Sequence, residues 1–107
     1  MGAVNMNTEM FNEYMKGDKP VLVDYWAPWC VYCRRIGPAV NKLADEIADR
    51  VTVAQIDIDE ETELAQKEQI EVIPTLVLYH HGKALGSIVA PDSKAKIEAF
   101  IEEHLNK

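Results

Sequence analysis

The run Lys19 to Ala27, reading KPVLVDYWA, is the segment that most restricts the folds open to this chain. Its apolar residues do not alternate with polar ones, so it reads as a buried strand, covered on both faces by other elements. From Val31 to about Asp49 the apolar residues recur at helical spacing instead, with Ile36, Val40, Leu43 and Ile47 forming one stripe. At the junction stands Trp29-Cys30-Val31-Tyr32-Cys33, which holds the only two cysteines of the 107 residues.

A Cys-x-x-Cys pair is either a dithiol that cycles with a disulfide or half of a metal site. Placement favours the first. Cys30 falls at or beside a helix N-terminus, where unpaired backbone N–H groups and the helix dipole stabilise a thiolate. A structural zinc wants four ligands, usually as two pairs, and His80, His81 and His104 lack ligand-pair spacing to the cysteines. Neither a metal nor a cofactor is expected.

A chain of this length makes one domain, spanning residues 1–107, that buries about 60–70% of its unfolded surface without staples. Two cysteines are too few for a disulfide scaffold, so they read as chemical. The net charge of −7 argues against nucleic acid, because phosphate binding needs a basic stripe. The first residues lack the basic start and apolar core of a signal peptide. Met6 stands where a myristoylation site after Met1-Gly2 wants Ser or Thr, and no apolar run approaches the roughly 20 residues of a membrane helix. A soluble, cytoplasmic monomer is expected, in a compartment where thiols stay reduced. The basic pair Arg34-Arg35, just past the motif, could raise the local potential in favour of the Cys30 thiolate; on most helices such a pair is only a solvated face.

Ala3 to Met6 reads as a short edge strand. Asn7 or Thr8 caps a helix to about Met15, with Met10, Phe11, Tyr14 and Met15 on its apolar side. Val21 to Trp26 is the second strand, and the helix from Val31 should kink at Pro38. Val51 to Ile58 is a third strand, followed by a helix from Glu60 to about Gln69. Leu76 to Tyr79 and Ala84 to Val89 pair as a hairpin around His81-Gly82. Asp92 or Ser93 caps a last helix that buries Ile97, Phe100, Ile101 and Leu105. The class is α/β, in the order βαβαββα, with a mixed central sheet flanked by helices on both faces. Tyr14, Tyr25 and Tyr79 read as core or half-buried residues. The three histidines read as solvated turn and helix-end residues.

Four separated segments carry a family resemblance that spans nearly the whole chain. They are Val23-Asp24-Tyr25-Trp26-Ala27-Pro28-Trp29-Cys30, Cys33-Arg34 with Pro38 following, Val53 to Asp59, and Ile73-Pro74-Thr75-Leu76. Together they resemble the thioredoxins. The resemblance implies the thioredoxin fold and an enzyme that reduces protein disulfides and is recharged by a flavoprotein reductase.

The residues argue the chemistry in parallel. Cys30, exposed at the helix start, is the nucleophile. Cys33, one turn further in, is shielded and protonated until it attacks the mixed disulfide and releases the substrate. Asp24 interrupts an apolar strand, and burial should raise its pKa. The resemblance makes it a proton acceptor for Cys33, through a water; a strand Asp satisfied by a nearby hydroxyl or backbone group is the plainer alternative. The resemblance also makes the bond before Pro74 cis, which brings Ile73 beside the sulfurs. Trp29, Ile73, Pro74, Val89 and Ala90 then form an apolar docking patch around Cys30, with Trp26 packing behind it.

The chain makes three departures from the family pattern. Val31-Tyr32 replaces the usual Gly-Pro between the cysteines, and a Tyr before the second cysteine is a glutaredoxin trait, which hints at a less reducing couple. Gln55 stands where many thioredoxins carry a Lys near the buried Asp. Val89 is read as replacing a glycine that leaves room for substrate backbone. Two alternatives follow. One is a glutathione-dependent, glutaredoxin-like enzyme, although the Gly-Gly turn of that family is absent from Val89-Ala90-Pro91-Asp92. The other is a non-catalytic interaction module, or a scaffold holding metal through Cys30 and Cys33 across a dimer.

Overall fold

The computed structural model describes residues 2–106. Met1, which begins the N-terminal stretch considered above, and Lys107, the end of the expected domain, lie outside the described residues. The elements are β1 (Val4–Asn5), α1 (Thr8–Met15), β2 (Val21–Trp26), α2 (Val31–Glu46), β3 (Thr52–Asp57), α3 (Thr62–Lys67), β4 (Thr75–His80), β5 (Lys83–Val89) and α4 (Lys94–Leu105). Each segment expected from the sequence is present. The observed order is therefore βαβαβαββα, and βαβαββα counts one strand and one helix too few.

The strands form one sheet in the order β1-β3-β2-β4-β5. β1 and β2 run parallel to β3, while β4 runs antiparallel to β2 and β5 antiparallel to β4. β2 is thus hydrogen-bonded on both edges, and the two-residue period of its side chains feeds two cores. Val21, Val23 and Tyr25 pack with Phe11 of α1 and Leu64 of α3. Leu22 packs on the opposite face with Ile36, Val40 and Leu43 of α2 and Ile97, Phe100 and Ile101 of α4. By the same alternation Asp24 points to the α2 face. That places a carboxyl group under the helix that carries both cysteines.

Local signals set the element ends. Asn7 accepts from the Met10 N–H and Ser93 from the Lys96 N–H, so side chains satisfy two helix starts. α2 runs unbroken through Pro38 but stops at Glu46, short of the expected Asp49, because Ile47 takes φ −116° and its carbonyl accepts from Arg50 and Val51 in a turn. His81 (φ 53°) and Gly82 (φ 78°) make the two-residue turn between β4 and β5. Gly86 is a close approach: a Cβ there would collide with the imidazole ring of His104.

Two expectations are corrected. Tyr14 is exposed, because α1 packs on the core through buried Phe11, with Met10 and Met15 partly buried beside it. His104 is not a solvated helix-end residue. Its ring lies against Phe100, 4.5 Å between centroids, and over Gly86, with Nδ1 hydrogen-bonded to the Phe100 carbonyl. Tyr25 and Tyr79 are buried, and their hydroxyls are 2.8 Å apart in a chain that ends on Glu68.

Candidate active site

The site forms where β2 ends and α2 begins. Ala27, Cys30 and Cys33 make a small buried cluster against which Trp26, Tyr32, Ile58 and Ile73 pack. The Cys30 N–H donates to the Ala27 carbonyl at 3.1 Å, which closes the turn into the helix. Cys30 is itself the N-cap of α2: its Sγ accepts from the Cys33 N–H at 3.2 Å. A thiolate at this atom gains a hydrogen bond and the positive end of the helix dipole together. Both cysteines are free thiols.

The two sulfurs differ in the expected sense, but less in exposure than the sequence suggests. Cys30 is 9% exposed and Cys33 2%, so the first thiol is a slit in the surface and not an open knob. Ile73 and Tyr32 are among the side chains that pack against its cluster. Burial pushes the Cys33 thiol up to about 12; the bond with Cys30 adds to the rise, and the Asp24 charge makes a smaller contribution. Cys33 therefore holds its proton at neutral pH.

Asp24 is 1% exposed. Desolvation raises its pKa from an ordinary 3.8 to about 7, partly offset by the hydrogen bond from Gln55. Gln55 Nε2 donates to Asp24 Oδ2 at 3.4 Å, and Oδ1 has no hydrogen-bond partner among the described residues. The plainer alternative, a carboxylate satisfied by a hydroxyl or backbone group, does not describe this side chain. Gln55 pairs with Asp24 across β2 and β3 and also lines a cavity of about 330 Å³ with Trp26 and Asp57. Gln55 thus touches both the buried carboxyl and the cavity.

Of the residues expected to dock substrate, Ile73 packs against the Cys30 cluster. The Ile73–Pro74 bond is cis, and Pro74 is buried at the start of β4. Its carbonyl accepts from the Ala90 N–H at 2.8 Å, which holds the segment after β5 beside it. Trp29 is 64% and Val89 55% exposed, large apolar side chains left in water. Trp29 is fixed by its Nε1–H, which donates to Asp59 Oδ2 at 2.7 Å.

Sequence reasoning passed over several neighbours of the site, and took Arg34 only for its charge. Val31 and Val72 are as exposed as Val89 and widen the apolar surface on either side of Cys30 and Ile73. Asp59 was part of a recognised motif without a role. Arg34 uses Nη1 to hold the Pro28 carbonyl at 3.3 Å, in the turn that leads to Cys30. Ala90, and not Val89, takes the left-handed backbone with φ 45°, so Ala90 is the position suited to glycine. Among the described residues no cluster of three or more His, Cys, Asp or Glu side chains could hold a metal ion, and no helix is long and apolar enough to cross a membrane.

Comparison with known proteins agrees with this geometry. The Thioredoxin family model matches residues 2–103. A thioredoxin of Acidithiobacillus ferridurans is 43% identical over 93 residues, 87% of this chain and 86% of that protein. A bifunctional thioredoxin reductase/thioredoxin of Mycobacterium leprae is 35% identical over 91 residues, which cover 85% of this chain and 20% of the longer protein. A mutant thioredoxin from Halobacterium salinarum NRC-1 superimposes with a TM-score of 0.84 at 27% identity, covering 95% of this chain and 88% of that one. The chain belongs to the thioredoxin family, and Cys30 with Cys33 is the dithiol of a thiol–disulfide oxidoreductase.

Proposed function

We propose that Cys30 attacks protein disulfides, that Cys33 resolves the intermediate and that Asp24 takes the Cys33 proton. The Cys30 thiolate displaces one substrate sulfur and forms a mixed disulfide, and that sulfur leaves as a thiolate. Cys33 then passes its proton to Asp24, through a water, and attacks Cys30 Sγ. The Cys30–Cys33 disulfide forms, the second substrate sulfur leaves, and two electrons have moved to the substrate. The contrast between the two sulfurs carries this reading. One caps a helix and accepts an N–H; the other is buried and held protonated near a carboxyl group whose own pKa lies near neutrality.

The apolar surface of Trp29, Ile73, Pro74, Val89 and Ala90 receives an extended substrate segment. Electrons are returned by a flavoprotein thioredoxin reductase, a pairing that the fused reductase/thioredoxin relative supports. The protein works as a single-domain monomer in the cytoplasm, where a reducing pool keeps the dithiol open. The test is insulin reduction coupled to a thioredoxin reductase, with Cys33→Ser as the trapping variant. Turnover by the native protein and an isolable mixed disulfide with the variant support the reading. Turnover with glutathione and glutathione reductase alone would assign the chain to glutathione-dependent chemistry instead.

A further inference from the structure

β5 ends at Val89 and α4 is capped by Ser93, so residues 90–92 belong to neither element. The Ala90 N–H bond to Pro74 is one tether of this segment. The other comes from the middle of the active-site motif. Tyr32 Oη lies 3.3 Å from the Ala90 carbonyl oxygen and 3.4 Å from that of Pro91, and donates to both. A hydroxyl has one proton, so the two contacts are a shared, three-centre bond, which accounts for their length. Packing gives little further support here. Tyr32, Arg35, Ile36, Pro91 and Ser93 wall a cavity of about 90 Å³ between α2 and the start of α4. Ala90 also carries a left-handed φ that an alanine does not favour, so something must hold it there.

We infer that Tyr32 is a positioning residue, whose hydroxyl latches the Ala90–Pro91 segment to the first turn of α2 and so holds the docking rim at a fixed place relative to Cys30. This rests on the docking role given above to Val89 and Ala90. The nucleophile and the rim that orients its substrate then move as one body. A Gly-Pro dipeptide has no side-chain donor and cannot make this contact. The latch acts on substrate binding and leaves the electron balance of the dithiol alone, because Tyr32 keeps its backbone N–H whatever its side chain does.

Tyr32→Phe removes the hydroxyl and retains the ring. Exchange of the Ala90 amide, which reports opening of the segment, should quicken about 3- to 10-fold, the range set by one modest hydrogen bond. The KM for insulin should rise by a similar factor, with kcat and the reduction potential unmoved. An Ala90 amide that exchanges at the native rate, or an unmoved KM, overturns the latch. Val89→Asp is measured beside it. If that variant also leaves KM unmoved, the docking assignment has failed; if it raises KM while Tyr32→Phe does not, only the latch has.

Discussion

Gln55 Nε2 reaches Asp24 Oδ2 at 3.4 Å, a long bond to one oxygen of a carboxyl group whose other oxygen has no partner among the described residues. A cation in place of Gln55 would favour the charged form of Asp24 far more than a carboxamide does. With Gln55 the desolvation cost dominates, and the carboxyl titrates near neutrality.

The first prediction follows from that cost. The folded pKa of about 7 lies above the ordinary 3.8, so the folded state binds the proton more tightly than the unfolded one. Stability is then fully present below about pH 4 and is lost as pH rises toward 7. A shift of about three units corresponds to about 4 kcal/mol at most, taking about 1.4 kcal/mol per unit. Asp24→Asn should match the native protein near pH 4 and exceed it by about 2–4 kcal/mol at pH 8, while slowing thiol exchange. Urea unfolding at the two pH values measures this. Equal stability of the two proteins at pH 8, or a carboxyl resonance titrating near 4, would refute it.

The second prediction concerns the division of labour between the sulfurs. Iodoacetamide at neutral pH should label Cys30 first, since Cys33 is both more buried and held protonated. Cys30→Ser should abolish disulfide reduction, and Cys33→Ser should accumulate a mixed disulfide with substrate. Peptide mapping after brief alkylation decides the order, and faster labelling of Cys33 would reverse the assignment.

Local pattern made the scaffold legible. The apolar run of β2, broken only by Asp24, the stripe of Ile36, Val40, Leu43 and Ile47, and the His81-Gly82 turn are short-range signals, and each reappears in the fold. Asp24 was legible as well, because a carboxyl group in a buried strand is anomalous on its own terms. What stayed hidden depends on where distant backbone goes. Tyr32 meets Ala90 and Pro91 only because β4, β5 and the following turn return to α2, and nothing in Val31-Tyr32 announces that encounter. Val89 was read as standing in for a glycine that leaves room for substrate backbone, whereas the left-handed φ that suits glycine falls at Ala90, because φ is a property of the turn and not of the apolar pattern. His104 was misjudged for a related reason: Gly86, on another element, makes the space that its ring fills.

The third prediction tests the backbone at Ala90. Left-handed φ costs an alanine about 1–2 kcal/mol that glycine does not incur, while glycine loses about 0.5–1 kcal/mol through greater freedom in the unfolded chain. Ala90→Gly should therefore stabilise the protein slightly, by up to about 1 kcal/mol, as read by thermal unfolding. Val89→Gly, at a position without left-handed φ, should be destabilising. If both glycine variants lost stability equally, strain at Ala90 would play no part.

The last prediction concerns the redox poise set by Val31-Tyr32. These are the first two residues of α2, and Cys30 caps the helix directly before them. The Cys33 N–H of this turn donates to the Cys30 sulfur at 3.2 Å, and the other N–H groups of a first helical turn are without intrahelical partners. A proline at position 32 deletes one donor outright, whereas Tyr32 supplies it. More donors stabilise the thiolate, favour the reduced state and make the disulfide the stronger oxidant. The couple should therefore lie above the established thioredoxin value of about −270 mV, nearer the glutaredoxin range of about −200 to −230 mV. A hydrogen bond to a charged group is worth about 1.5–3 kcal/mol, and about 30 mV corresponds to 1.4 kcal/mol for two electrons, so one donor accounts for a shift of about 30–60 mV. Val31→Gly with Tyr32→Pro should make the couple more reducing by that amount. Tyr32→Phe, which keeps the N–H, should leave it in place. Equilibration of the three proteins against glutathione buffers, followed by thiol counting, gives the potentials. A Gly-Pro protein as oxidising as the native one would remove the dipeptide as the source of the poise; a shift in Tyr32→Phe would move the cause from the backbone to the side chain.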